Sequence, residues 1–204
     1  DYLGRNGKGE SIWVTMFIAY NLREIYKLAE YLGDKEACQE YYKKYNNIKA
    51  NLNEKCWDGK WYIRGTNDLG EVIGSDKNDE GKIFLNTQSW AVISGVAEGE
   101  RAKICMQSVT EHLETPKGPK ILHPPYTVID DSIGLATRCV PGKKENGAVF
   151  NHPVSWAILA EAINGNAKRA FEIYKKALPM NPELDIERYE VEPYTTLQGG
   201  FVYL

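Results

Sequence analysis

The segment PGKKENGAVFNHPVSW, Pro141 to Trp156, places two lysines, a glutamate, asparagine and a histidine just before an apolar run with helical spacing. Such a density of charges, donors and acceptors at the mouth of an apolar helix has two readings. It is either a solvated loop followed by a capped helix or a site loop whose side chains face a ligand. The other reactive residue types narrow the chemistry. The histidines are His112, His123 and His152, and no GxSxG elbow accompanies them, so a Ser-His-Asp or Cys-His apparatus ranks low. There is no HExxH spacing, and Cys38, Cys56, Cys105 and Cys139 form no CxxC pair. The spacing therefore predicts no metal site and buried free thiols in a reducing compartment. GRNGKGES, near the start, matches neither a Walker loop nor a dinucleotide fingerprint. Carboxylates in loops remain: Asp1 and Glu10, then Asp76, Asp79 and Glu80, then Asp130, Asp131, Glu145 and Glu192. Inverting cleavage of a glycosidic bond ordinarily needs one carboxylic acid to protonate the leaving oxygen and a carboxylate to activate water. Each of these carboxylates can equally be a surface charge.

Composition removes several classes. A net charge of −3, with both signs mixed through 204 residues, leaves no basic footprint for nucleic acid. No stretch of eighteen apolar residues provides a membrane span, and no signal peptide opens the chain, so a cytoplasmic location is expected. Five tryptophans and thirteen tyrosines, several in KCWDGKWYIRG and HPPYTVIDD, suit sugar rings as well as a core.

The elements that must position these residues repeat one plan. SIWVTMFIAYNLREIYKLAEYLG is apolar nearly all round at first and then amphipathic, with Leu22, Ile25, Tyr26 and Ala29 on one face. Gly33 ends it and Asp34 caps the next helix, whose stripe is Ala37, Tyr41, Tyr45, Ile48 and Leu52. The same plan recurs at NTQSWAVISGVAEGERAKICMQSVTEHL, with the stripe Ala102, Met106, Val109 and Leu113. It recurs again at NHPVSWAILAEAINGNAKRAFEIYKKAL. A strongly apolar helix followed by an amphipathic one predicts an all-α fold of helical hairpins in an inner and an outer layer. Between hairpins, WDGKWYIRGTNDLGEVIG predicts small β-hairpins, and KGPKILHPPYTVIDDSIGLATRCVPGKKENG an ordered site loop. Six predicted helices are half of the twelve in a closed (α/α)6 toroid. Residues 1–204 are therefore expected to be a partial catalytic domain, incomplete at both ends.

DYLGRNGKGESIW, NDEGKIFLNTQSWAV, HPPYT, PGKKENGAVFNHPVSWAILAEA and YEVEPY, in that order, resemble the inverting disaccharide phosphorylases of glycoside hydrolase family 94. The resemblance implies phosphorolysis of a β-linked gluco-disaccharide or oligosaccharide by inorganic phosphate, giving α-glucose 1-phosphate and a shortened sugar. It implies no cofactor, since phosphate is the co-substrate, and a homodimer as the assembly. Placed by Gly9-Glu10-Ser11, Asp1 corresponds to the catalytic acid. Lys144 and Glu145 are implied to meet the acceptor sugar, with Gln88 and Tyr126 also binding substrate, and His152 to contact phosphate. Without the resemblance, His152 reads equally as a helix-start histidine satisfied by a neighbour. Cys139 stands where cellobiose-type members are expected to carry an aromatic, which favours longer or differently linked acceptors. Two other functions stay open: an inverting glycosidase, with Glu145, Asp131 or Glu192 serving water, and a non-catalytic helical module that binds carbohydrate or protein. The segment alone is expected to be inactive.

Overall fold

Ser11, Asp34 and Asn166 each turn a side-chain oxygen back to a backbone N–H three residues on, at Val14, Ala37 and Arg169. Such caps satisfy one of the free donors at a helix start, a contribution of about 1 kcal/mol each. They open α1 (Ile12–Leu32), α2 (Lys35–Lys55) and α6 (Ala167–Ala177). Gly33 closes α1 at φ 73°, a left-handed conformation that a Cβ disfavours, and its N–H reaches the carbonyls of Ala29 and Glu30. The remaining helices are α3 (Leu85–Ile93), α4 (Gly99–Leu113) and α5 (Asn151–Ile163). The computed structural model describes residues 2–178. Asp1, Glu192, YEVEPY and GGFVYL lie outside the described residues.

The hairpin plan holds. In the inner layer α1 lies against α3, and α3 against α5; α2, α4 and α6 each pack on the inner helix that precedes them. Ala19, Ala91, Ala157 and Ala160 are fully buried within the inner layer, and such small side chains let helices approach closely. Every residue of α3 is buried, as expected for a helix between neighbours on both sides. The stripe on α4 is buried at Ala102, Met106, Val109 and Leu113. The stripe on α2 is buried at Leu52 and half-buried at Tyr45 and Ile48, which pack against the same core.

Helix α1 departs from the expectation of a buried helix. It buries Ile12, Met16, Ala19 and Ala29, while Val14, Phe17, Ile18, Ile25 and Leu28 are exposed. Its apolar periodicity is real, but only one side of it finds a partner among the described residues.

The inserts form two small antiparallel sheets. Strands β1 (Glu10–Ser11), β2 (Gly65–Thr66) and β3 (Val72–Ile73) pair in that order. The predicted turn from Asn67 to Gly70 closes β2 onto β3, with Gly65 opposite Ile73. Strand β4 (Ile83–Phe84) runs straight into α3 and pairs with β5 (Leu122–His123) inside the long loop. That loop is ordered: it carries β5, a short 3-10 turn at Leu135–Arg138 and a tight turn from Lys143 to Asn146.

Candidate active site

The inner helices start at the same end of the molecule, and a cleft of about 650 Å³ opens there. Trp13 of α1, Phe84 and Asn86 at the start of α3, and His152 and Trp156 of α5 line it. The β-insert adds Arg64, and the long loop contributes Tyr126, Cys139, Lys144 and Glu145. The fold thus brings together four of the residues singled out from sequence: Tyr126, Lys144, Glu145 and His152.

The turn carrying Lys144 and Glu145 is held from beneath. Asn146 is fully buried; its Oδ1 accepts from Tyr126 N at 2.7 Å, and its Nδ2 donates to the carbonyls of Tyr126 and Cys139 at 2.8 Å each. Lys144 sits at φ 46°, a left-handed conformation in a non-glycine residue, and such strain persists where surrounding contacts impose it. With the backbone fixed from below, the Lys144 and Glu145 side chains stay exposed at the cleft. The Glu145 carboxylate lies 3.8 Å from Cys139 Sγ, whose thiol pKa is pushed up first by burial and then by that charge.

Tyr126 is buried against the backbone of Gly81, where a Cβ would fall 2.0 Å from the phenol oxygen; burial pushes the phenol pKa well up. Beside it, Glu80 accepts from Thr127 N at 3.1 Å and Thr127 Oγ1 at 2.6 Å. The NDEG and HPPYT segments are therefore clasped together. His152 is exposed in the first turn of α5, its ring 4.5 Å from the Trp156 ring. Trp156 continues to Trp13 at 5.6 Å, giving the cleft an aromatic wall.

Gln88 is not brought into the cleft. It is fully buried, its Oε1 accepting from Tyr62 N at 3.0 Å and its Nε2 donating to Tyr62 O at 2.8 Å. Its amide is spent on the backbone of the β-insert, tying that insert to α3. Trp61 and Tyr62, among the aromatics that suited a sugar, are likewise fully buried in the core.

Asn146 and Arg64 were not singled out from sequence. Asn146 is marked by Gly147 after it, at φ 92°, the sign of a tight turn. Arg64 is marked as the lone charge at the end of the run WYI, yet neither signal reveals a partner. Arg64 Nη1 donates to Ser11 Oγ at 2.8 Å, and its guanidinium lies over the rings of Trp13 at 5.4 Å and Phe84 at 5.8 Å. Burial lowers its pKa to about 10.

GRNGKGES has a structural task. Asp68 accepts from the backbone N–H groups of Asn6 at 2.7 Å and of Lys8 and Gly9 at 2.9 Å each. This nest of N–H groups holds the protein's own carboxylate, and the hydrogen bond from Asn6 leads in keeping that carboxyl below its usual range.

A layered array of helical hairpins, with a cleft at one end that sets charged side chains among aromatic and apolar ones, defines the class, and comparison with known proteins places the chain within it. Residues 1–202 match the Glycosyl hydrolase 94 superfamily, catalytic domain, and the chain belongs to that family. It is 42% identical over 193 residues to solabiose phosphorylase of Paenibacillus borealis, covering 94% of this chain and 25% of that protein. It is 37% identical over 180 residues to 3-O-beta-D-glucopyranosyl-beta-D-glucuronide phosphorylase of the same organism, covering 88% of this chain and 23% of that one. The chain thus spans about a quarter of the length of these two relatives. A solved structure titled sialidase superposes with a TM-score of 0.64 at 12% identity, covering 93% of this chain and 16% of the other; it shows the fold alone.

Proposed function

We propose that these residues are part of the catalytic domain of an inverting phosphorylase acting on a β-linked gluco-disaccharide or oligosaccharide. The observation that carries this reading is the convergence of Lys144, Glu145, Tyr126 and His152 on one cleft. The relatives' names support phosphorolysis and differ in the sugar, so the linkage is left as β.

In this reading Asp1 donates its proton to the glycosidic oxygen as the bond to the anomeric carbon breaks. An oxygen of phosphate forms the new bond from the opposite face, giving α-glucose 1-phosphate and a shortened sugar with its hydroxyl restored. Phosphate is already a nucleophile, so no protein base has to deprotonate water. Lys144 and Glu145 hold the acceptor-side sugar from the strained turn, the half-buried Cys139 leaves room beside them, and Tyr126 closes that side. His152 orients the phosphate from the start of α5, where the helix dipole favours an anion. Gln88 stays outside the substrate contacts here, its amide a structural tie between the β-insert and α3.

The exposed apolar side of α1 and the exposed Leu159, Ile163 and Phe171 of α5 and α6 are the surfaces that further hairpins of an (α/α)6 toroid would cover. Four free cysteines support a reducing, cytoplasmic setting, and a homodimer is the assembly we propose for the complete protein.

The test is His152→Ala in the complete protein. The reading expects the KM for phosphate to rise by about tenfold or more while the KM for the sugar changes little. An unchanged phosphate KM would remove His152 from the site. Glu145 is the one carboxylate among the described lining residues, which keeps an inverting glycosidase as the second reading. That reading predicts bond cleavage without phosphate.

A further inference from the structure

The cleft holds a cation that the residue roles above leave unused. Of the N–H donors on the Arg64 guanidinium, only Nη1 has a hydrogen-bond partner among the described residues, and that partner is the neutral Ser11 hydroxyl. No carboxylate among the described residues lies within ion-pair distance of it. Arg64 is half-buried at the cleft wall, with the Trp13 ring 5.4 Å and the Phe84 ring 5.8 Å from its guanidinium. A charge partly withdrawn from water without a counter-charge favours an anion from outside.

Three further observations point the same way. Asn86, two residues beyond Phe84, is 9% exposed and lines the cleft, and its Oδ1 has no hydrogen-bond partner among the described residues. Trp13 Nε1, in the same wall, is also without one. The N-termini of α3 and α5 both reach the cleft with phenylalanine at the cap, Phe84 and Phe150, and no side-chain cap bond. Two helix starts are therefore left without a capping oxygen at a place where an anion is favoured. Polar atoms left unpaired at a buried surface are satisfied when a ligand supplies the partner.

We propose that Arg64 anchors an oxyanion group of the ligand, with Asn86 accepting a hydrogen bond from a neighbouring hydroxyl of the same ligand. The oxyanion is either the phosphate of the reaction or a carboxylate carried by the sugar; both fit a planar fork of N–H donors. This rests on the cleft being the ligand site, as in the reading above, and is tested by binding so that it stands or falls separately from phosphorolysis.

Tryptophan fluorescence of the complete protein, with Trp13 as a reporter in contact with the guanidinium, is titrated with inorganic phosphate, with glucuronate and with glucose. In Arg64→Met the affinity for one oxyanion is expected to fall by about tenfold or more, a loss of ~1.4 kcal/mol, while the affinity for glucose stays within about twofold. Loss confined to phosphate assigns the co-substrate; loss confined to glucuronate assigns a sugar acid. The proposal is overturned if folded Arg64→Met binds both oxyanions as the parent does, if glucose weakens equally, or if the parent binds neither oxyanion. Should Arg64→Met not fold, Arg64→Lys keeps the charge and loses the fork; oxyanion affinities equal to the parent's would overturn the proposal, and a drop of about threefold or more would support it. Absence of phosphorolysis in the parent would refute the proposed reaction without touching these outcomes.

Discussion

Asn146 grips the backbone of Tyr126 from both sides, accepting from its N–H at 2.7 Å and donating to its carbonyl at 2.8 Å. The pairing spans twenty residues of chain and fixes the Lys144–Glu145 turn to the wall of the cleft. It explains why a turn with three exposed charged residues, Lys143, Lys144 and Glu145, has a fully buried residue at its end.

Asn146→Ala leaves the Tyr126 N–H and C=O without partners in a buried place, where each orphaned group costs about 1–3 kcal/mol. We expect a loss of about 2–4 kcal/mol in denaturant unfolding, together with a higher KM for the acceptor sugar at an unchanged KM for phosphate. A variant as stable as the parent would show that the clasp does not hold the turn.

Gln88→Ala tests a position that sequence resemblance put in the binding site and the structure puts beneath it. The change removes a buried amide and strands the Tyr62 backbone, so stability should fall by about 2–4 kcal/mol. At temperatures where the variant stays folded, the KM values should lie within about twofold of the parent's. A raised sugar KM at unchanged stability would return Gln88 to the cleft.

Asp68 gives a pH dependence of defined sign. Its carboxyl is held below the ordinary range by the Asn6, Gly9 and Lys8 N–H groups. Its contribution is present above the unfolded value, near pH 4, and is lost as pH falls through the lower folded value. Thermal melts of Asp68→Asn should therefore lose less than the parent's between pH 6 and pH 3, each bound being about a unit wide. Parallel curves would contradict the nest.

Glu161 gives the opposite sign. It is buried at the end of α5, and burial raises its pKa despite Arg169 and the hydrogen bond from Asn166. A group whose folded pKa is raised contributes fully below its unfolded value and loses that contribution as pH rises through the folded one. Relative to the parent, Glu161→Gln should gain stability as pH rises from about 4 to 7, read as the difference in melting temperature.

These residues also show what the sequence could and could not disclose. Helix pairs were legible because burial on α2 and α4 follows a 3.6-residue period and because Gly33 and Asp34 mark a turn by local chemistry. The apolar pattern of α1 was legible, but not which side would be covered, since that depends on neighbours far away in the chain. Lys144, Glu145 and His152 stood out by residue type at a helix mouth. Asn146 and Gln88 illustrate the limit: both are amides whose task is set by a backbone segment twenty or more residues away. Periodicity carries no information about such pairings. Arg64 was hidden for a related reason. Its meaning lies in having no carboxylate partner among the described residues and in two rings from other elements, neither visible in WYIRG.

We propose that this cleft transfers a glucosyl group to phosphate with inversion. The most direct measurement incubates the complete protein with β-linked gluco-disaccharides, with and without inorganic phosphate, and follows the anomeric proton and phosphorus resonances. α-Glucose 1-phosphate is expected as the first product, formed only when phosphate is present. Free glucose released at the same rate in phosphate-free buffer, or β-glucose 1-phosphate as the first product, would contradict it.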